Sequence, residues 1–351
     1  MDGKSSAALQ YAVMHFGQPA CPAVGIAHGR CEALGRTVAA LPRTPRFDTE
    51  LVPRCDAPDE AVFRAIFWAA TICHATKGAF RGSQRGRRIK GWDYLLHAML
   101  DATERQSALL TPQRVAAIDA SDLLDLLERP RFCREVRLDD ADRRAEMLRD
   151  AAAWLLKEFD GSVGEVLARA GHRVDGMNGV YACLSGAPGF NDVHRKKSSV
   201  LIAALHHSGR VTFSGLESFV PMADYHVMRL MLRTRCIVIE DADLADRLAR
   251  RAPVMQVEED AVRQATIAAC RLAAELGQVS IIDLNVLLWA HARSCCRTLP
   301  LCTSREPEGD SFFRLVSVRD PRVCVFESWC PGAARGALRA LWEPELATEF
   351  Y

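Results

Sequence analysis

An acid and a phenol stand side by side in the apolar stretch from 219 to 227, whose sequence is FVPMADYHV. Asp224 and Tyr225 are the pair in it that can stabilise charge or move a proton. Apolar neighbours remove water from a carboxyl group, which raises carboxyl pKa values towards the range in which acid–base catalysts work. A plainer interpretation is that Asp224 is the N-cap of a helix beginning near Tyr225, because Asp is a favoured N-cap residue. The residue types alone leave both interpretations open.

Aromatic side chains elsewhere in the chain could form the walls of a pocket for a flat heterocycle. Phe67 and Trp68 are adjacent, and Trp289 shares a later helical segment with Asp283. Such rings stack on the base in base-binding pockets, although packing in a core is their commoner use. Asp283 is the natural second acid of the chain, or else an early-helix acid that the helix dipole favours.

Two basic clusters are candidates for contact with a phosphate. Lys196 and Lys197 follow Arg195, and their cationic groups suit a phosphate; the alternative is an exposed helix start. The run from 81 to 90, RGSQRGRRIK, is either a phosphate contact or a solvated loop or hairpin. The formal net charge of the 351-residue chain is only +1, so no global field favours nucleic acid.

No metal or cofactor is predicted. The nearest approach to a metal site is the set His291, Cys295, Cys296 and Cys302, but no second well-spaced pair completes a tetrahedral set of ligands. The chain has no glycine-rich phosphate loop, no dinucleotide-binding pattern and no G-x-S-x-G turn. These absences disfavour an ATPase, a nicotinamide-dependent enzyme and a serine hydrolase.

The thirteen cysteines form no repeating framework, and neither a signal peptide nor a membrane-spanning apolar window is visible. This pattern favours reduced thiols, and it predicts a cytoplasmic protein.

Helical spacing dominates the chain, and strand-like patterns are sparse. The clearest helical segments are 59–75, 92–103, 139–159, 163–170, 197–207, 241–250, 258–276 and 281–295. The best strand candidates are 313–318 and 322–327. The sequence therefore predicts a mostly α fold with a few short strands. We expect one helical domain at 59–320, a preceding segment at 1–58 with short helices near 7–16 and 31–40, and a C-terminal extension at 321–351.

The order of these segments resembles the queuosine salvage protein family, the queuosine-5′-phosphate N-glycosylases. The strongest match is Met222-Ala223-Asp224-Tyr225, where the family carries an Ala-Asp-Tyr core. The other matching segments, from about 59 to 318, are FW at 67–68, GW at 91–92, LLKEFDGS at 155–162, FNDV at 190–193, KKSSVLIA at 196–203, VR at 262–263, LW at 288–289 and FFR at 312–314.

The resemblance implies a fold and an activity. Family members are mostly α-helical, resemble helix-hairpin-helix DNA glycosylases, and release the base queuine from its nucleotide. The substrate is then a small modified nucleotide of the 7-deazaguanine type, and Asp224 is the catalytic carboxylate. The expected substrate-binding residues are Tyr225, Lys196, Lys197, Phe67, Trp68, Trp289, Asp283 and His206.

Some positions depart from the family pattern. His226 stands where the family has Arg, His206 replaces an aromatic residue, and Ala204 and Asn285 replace acids; Asp283 could compensate for the loss at 285. Two alternatives therefore stay open beside the N-glycosidase. One is a catalytically silent module that binds a nucleotide or base. The other is a DNA or RNA base-excision glycosylase, which the near-neutral charge disfavours.

Overall fold

The computed structural model describes residues 24–76, 79–84, 87–105, 108–307, 311–346 and 348–349. The short helix predicted near 7–16 lies outside this part of the chain. Most of the regular structure is helical, which confirms the predicted mostly α fold class. The α-helices are α1 (His28–Ala39), α2 (Phe47–Leu51), α3 (Asp59–Thr71), α4 (Trp92–Glu104), α5 (Pro112–Val115), α6 (Ala120–Glu128), α7 (Ala141–Phe159), α8 (Val163–Arg169), α9 (Val180–Leu184), α10 (Lys196–His207), α11 (Tyr225–Thr234), α12 (Ala242–Arg250), α13 (Gln256–Gly277), α14 (Ile281–Ser294), α15 (Leu301–Ser304), α16 (Ser311–Leu315), α17 (Pro331–Ala334) and α18 (Gly336–Arg339).

Five short strands form two small antiparallel sheets among the described residues. The strands are β1 (Val24–Ile26), β2 (Phe80–Gln84), β3 (Arg87–Lys90), β4 (Cys133–Val136) and β5 (Ile237–Ile239). In one sheet β1 pairs with β5, and in the other β2 lies between β3 and β4. The basic run at 81–90 is therefore a hairpin, with Arg81 opposite Lys90.

Both predicted C-terminal strands are wrong. Residues 311–315 form α16, and no strand includes 322–327. The buried side chains Phe312, Leu315 and Val316 have the three- and four-residue spacing of a helix face, and the amide of Val316 bonds to the carbonyl of Phe312. Arg314 and Ser317 stand between the apolar residues of 313–318, which gave this segment a partly alternating apolar and polar pattern typical of a strand.

The described residues fall into two compact units, each with its own core. The first unit contains the residues up to Pro45 and those from Pro221 to 346; the second contains Arg46 to Val220 with Thr348 and Glu349. The predicted boundaries at 58 and 320 stay predictions.

In the first unit, α13 packs closely along α1, and α11 packs on α14. Gly35 and Gly277 lie at the α1–α13 contact, where a Cβ atom added to Gly35 would lie 2.0 Å from the Ala273 carbonyl oxygen. Only glycines allow these backbones to approach so closely. This unit contains α11 and the Asp224 segment.

In the second unit, α3 is the central helix and packs on α4 and α10. Its apolar positions, predicted to be buried on nearly all sides, are buried from Ala65 to Ala70. The long amphipathic helix α7 also packs on α3. This unit contains the predicted residues of α3 and α10.

Among the described residues, no single helix is both long and apolar enough to cross a membrane. Helices α13 and α14 reach the required length and composition only when taken together, and they are bent by 117°.

Candidate active site around Asp224

Asp224 is the N-cap of α11, as the plainer interpretation predicted. Its backbone is extended, and its Oδ1 accepts a hydrogen bond from the Val227 amide at 2.9 Å. Only 6% of the residue is exposed. Because a helix N-terminus carries partial positive charge, this position favours the ionised carboxylate. A fixed, mostly desolvated carboxylate is suited to stabilising a nearby positive charge.

A second hydrogen bond fixes the segment that leads into Asp224. The Met222 amide donates to Oδ1 of Asn285 at 2.8 Å, and Asn285 is fully buried on α14. Asn285 therefore supplies the acceptor oxygen that an acid at this position would supply. Its Nδ2 donor has no hydrogen-bond partner among the described residues.

Tyr225 and His226 form the first turn of α11 beside Asp224, and both are partly exposed. Their ring centroids lie 4.1 Å apart, with the rings tilted by 39°. Nη2 of Arg229 lies 3.0 Å from Nδ1 of His226. The helix start therefore brings together Asp224, Tyr225 and His226, whose side chains can contact a polar ligand.

Arg229 is a buried residue that the sequence did not single out. Its Nε donates to the Cys296 carbonyl at 2.8 Å, and its Nη1 lies 2.9 Å from both carboxylate oxygens of Glu343. The one signal in the sequence is its spacing, three residues after His226 on the predicted helix. Glu343 lies in the C-terminal extension, for which no role is predictable from the sequence.

The other two predicted residues of the first unit lie on α14. Asp283, in its first turn, forms an ion pair with Arg43 at 2.8 Å, so it neutralises a cation as well as favouring the helix start. Trp289 is partly exposed, and the Arg293 guanidinium lies over its ring at 4.1 Å from the centroid. One face of the indole is therefore covered by a cation.

Phe67 and Trp68 lie in the core of the second unit. Both are fully buried, and the Trp68 indole donates to the Leu110 carbonyl at 3.1 Å. The Phe67 ring stacks on Phe190 at 4.9 Å and is nearly parallel to Trp154 at 6.4 Å. These contacts favour the core-packing alternative over stacking on a substrate.

Lys196 and Lys197 begin α10, but both are buried, so the alternative of an exposed helix start is wrong. The ammonium of Lys196 donates to the Cys73 carbonyl at 3.1 Å and lies 3.3 Å from the thiol of the same residue. The ammonium of Lys197 donates to the Thr71 carbonyl at 2.6 Å. Burial lowers the pKa of Lys197 to about 8. The ammonium groups are therefore engaged by the end of α3.

His206, near the end of α10, is partly exposed. Its ring lies edge-on to that of His207, with the centroids 5.1 Å apart. His207 pairs with Asp48 at 2.8 Å, whereas Nδ1 of His206 has no hydrogen-bond partner in the described part of the chain.

The described residues contain no group of three or more His, Cys, Asp or Glu side chains placed to hold a metal ion. In the sequence-derived candidate set of His291, Cys295, Cys296 and Cys302, the His291 ring is buried, and its Nε2 lies 3.3 Å from the Cys324 sulfur. Burial lowers the pKa of His291 to about 3. Burial also raises the pKa of the Cys295 thiol. At neutral pH these groups are therefore a neutral imidazole and a neutral thiol.

The fold and the site define a mostly helical protein with a buried carboxylate fixed at a helix start. The family model described as "Queuosine salvage protein" matches residues 66–298, and the chain belongs to this family. It is similar to a queuosine 5′-phosphate N-glycosylase/hydrolase of Sphaerobacter thermophilus, with 25% identity over 261 residues. The alignment covers 70% of this chain and 78% of that protein. The matched region includes Asp224 and Asn285, whereas Glu343 lies beyond it.

Proposed function

We propose that the chain is an N-glycosidase that hydrolyses the base–sugar bond of a 7-deazaguanine-type nucleoside 5′-monophosphate. Queuosine 5′-phosphate is the model substrate. The products are the free base and ribose 5-phosphate. The observation that carries the proposal is the buried carboxylate of Asp224, fixed at the start of α11 in a member of the queuosine salvage family.

The reaction breaks the carbon–nitrogen bond at C1′ and forms a carbon–oxygen bond to water. As the base leaves, positive charge develops on the sugar, and the ionised Asp224 stabilises it. The same carboxylate orients the attacking water and takes its proton, while the departing base gains a proton in turn. Tyr225 and Trp289, both partly exposed, are the residues that we expect to contact the sugar or base.

The first test is base release from queuosine 5′-phosphate by the wild type and by Asp224→Asn. Asn is as good an N-cap as Asp, so this variant removes the charge and keeps the helix start. We expect release to fall by at least about 100-fold. The matched control is Asp241→Asn, because Asp241 is the exposed N-cap of α12 and accepts from the Asp243 and Leu244 amides. Release at the wild-type rate by Asp224→Asn contradicts the assignment.

A catalytically silent binding module is the second candidate. The observation in its favour is Asn285, a neutral residue that is fully buried where relatives are expected to carry an acid. A thermal-shift titration with queuosine 5′-phosphate, run beside the release assay, separates the two candidates. Binding without turnover by the wild type favours the module; binding with turnover favours the enzyme.

We expect the protein to act in the cytoplasm and without a cofactor. The cysteines whose side chains the structure describes are free thiols, which is typical of a reducing compartment. Because Lys196 and Lys197 are engaged by backbone carbonyls, their predicted contact with the 5′-phosphate needs its own test. Comparing release from the nucleotide with release from the nucleoside measures the contribution of the phosphate.

A further inference from the structure

A cavity in the first unit brings together five of the cysteines. It is lined by residues of α11, α14, α15, α17 and α18, and its empty volume is about 360 Å³, including the opening to solvent. The thiols that line this thiol cavity are those of Cys295, Cys296, Cys302, Cys324 and Cys330. Cys295 is buried, whereas the other four are partly exposed. A small molecule from solvent therefore has access to thiols that the proposed N-glycosidase reaction does not use.

Cys296 has a guanidinium in contact with its sulfur. Nη1 of Arg233, on α11, lies 3.8 Å from Sγ of Cys296, within the range of a hydrogen bond to sulfur. A cation beside a sulfur favours the thiolate, which is the nucleophilic form. Burial raises the pKa of each of the other four thiols, so these remain protonated at neutral pH. Cys296 is therefore the best-placed nucleophile among the thiols of the cavity.

The same guanidinium has a donor that is not used. Arg233 is 2% exposed and lines the thiol cavity. Its Nε donates to the Leu341 carbonyl and its Nη1 donates to the Arg297 carbonyl. Its Nη2, in contrast, has no hydrogen-bond partner among the described residues. A buried N–H group without an acceptor costs free energy, and an oxygen atom bound beside Cys296 would remove that cost.

From these contacts we infer that Cys296 is a modification site, at which a small peroxide such as hydrogen peroxide oxidises the thiol to a sulfenic acid. The thiolate attacks one oxygen of the peroxide, so that a sulfur–oxygen bond forms and the oxygen–oxygen bond breaks. The second oxygen leaves with the electron pair as hydroxide and takes up a proton to become water. The sulfur is oxidised and the peroxide is reduced. The Nη2 donor of Arg233 stabilises the charge that develops on the departing oxygen.

The experiment treats the full chain with hydrogen peroxide and traps sulfenic acid with dimedone. Peptide mass spectrometry then measures the adduct at each cysteine over time. We expect Cys296 to be labelled at least about 10-fold faster than Cys183, which is the internal control. Cys183 is also partly exposed, but its sulfur lies 3.4 Å from the Asn178 carbonyl, and burial raises its pKa. A disulfide that includes Cys296 supports the inference as well, because a sulfenic acid condenses with a second thiol.

Substitutions separate the role of the sulfur from that of the guanidinium. Cys296→Ser is expected to abolish the fast-forming adduct, whereas Cys302→Ser, in the same cavity, is expected to keep it. Arg233→Lys keeps a cation and removes Nη2, and we expect it to slow the oxidation of Cys296 by about 10-fold. Arg339→Lys is its matched control, because Arg339 lines the same cavity and donates to backbone carbonyls of α17.

Thermal unfolding identifies any variant that fails to fold, and the comparison of Cys296 with Cys183 in the wild type needs no substitution. Equal labelling of these two cysteines, or a fast-forming adduct that persists in Cys296→Ser, overturns the inference. Unchanged oxidation in Arg233→Lys overturns the role of the guanidinium. None of these readouts depends on base release, so the inference stands or falls separately from the proposed N-glycosidase function.

Discussion

Lys197 carries its ammonium group into the core of the second unit, where it donates to the Thr71 carbonyl. Desolvation lowers its pKa to about 8, against 10.5 for the free side chain. Below about pH 8 the side chain is charged in both states, and the folded state bears the full desolvation penalty. From about pH 8 to 10.5 the folded protein loses this proton while the unfolded chain keeps it. The contribution of Lys197 to stability therefore rises with pH across this window.

The variant Lys197→Met tests this dependence of stability on pH. The free energy of unfolding of the wild type, minus that of the variant, is expected to increase by up to about 3 kcal/mol between pH 8 and 10.5. Urea unfolding at pH 7, 8, 9 and 10 measures this difference. Lys157→Met is the control, because the Lys157 side chain is 82% exposed, and its difference from wild type is expected to stay flat. A flat profile for Lys197→Met shows that the ammonium titrates as it does in water.

Single residues were predictable from sequence only where the determinant is local. Asp224 was predictable as an N-cap, because its partner is the Val227 amide three residues away. For Phe67 the sequence left a pocket contact open beside the commoner core packing, since its stacking partners Trp154 and Phe190 are distant in sequence. The burial of Lys197 depends in the same way on the distant end of α3. Residue types supply the chemistry, but long-range packing decides which atoms face a ligand.

At the scale of the element, the contact between α1 and α13 depends on glycine. A Cβ atom on Gly35 would lie 2.0 Å from the Ala273 carbonyl oxygen, so the helices would have to separate. We expect Gly35→Ala to destabilise the protein by about 1–3 kcal/mol, the usual effect of overpacking. Gly29, on the same helix, has nothing within 4 Å of its added Cβ. Gly29→Ala is therefore expected to be neutral or to stabilise by up to about 1 kcal/mol.

Thermal or urea unfolding of these two variants tests the contact directly. The comparison is well matched because both substitutions add one methyl group to α1. Equal stabilities would mean that α1 and α13 can separate without loss, contrary to the close approach of their backbones.

Long helices with a repeated apolar face were predictable to within a few residues. α7 was expected at 139–159 and is found at Ala141–Phe159, and α13 was expected at 258–276 and is found at Gln256–Gly277. Short elements gave weaker signals. β1 and β5 were missed because each is only three residues long and its partner lies more than 200 residues away, so no local alternation marks it.

At the scale of the whole molecule, segments outside the family match complete the unit that contains Asp224. Arg43 pairs with Asp283 on α14, and Glu343 pairs with Arg229 on α11. Both partners lie beyond residues 66–298. The sequence could not assign these segments a role, because they meet α11 and α14 through residues that lie far from those helices along the chain. Their role is to hold side chains on the helices that carry Asp224, Asp283 and Trp289.

Net charge distinguishes an enzyme for a free nucleotide from a base-excision glycosylase. Forty-five Lys and Arg residues are balanced by 44 Asp and Glu residues. Arg87 of the basic hairpin is itself paired with Glu50, whereas Arg88 is exposed. Binding to duplex DNA is governed by the number of phosphates that cations neutralise, and affinity falls steeply with salt. We therefore expect only non-specific binding, with a Kd weaker than about 1 µM at physiological salt.

Fluorescence anisotropy with a labelled duplex, measured from about 50 to 200 mM salt, tests this expectation. We expect Arg88→Ala to weaken the residual duplex binding and to leave base release from queuosine 5′-phosphate unchanged, because a small nucleotide needs no extended basic surface. A nanomolar Kd for a duplex, with base release from that duplex and none from the nucleotide, would instead identify a base-excision enzyme. The near balance of charge argues against that result, since a protein that opens a duplex must offset the charge of several phosphates at once.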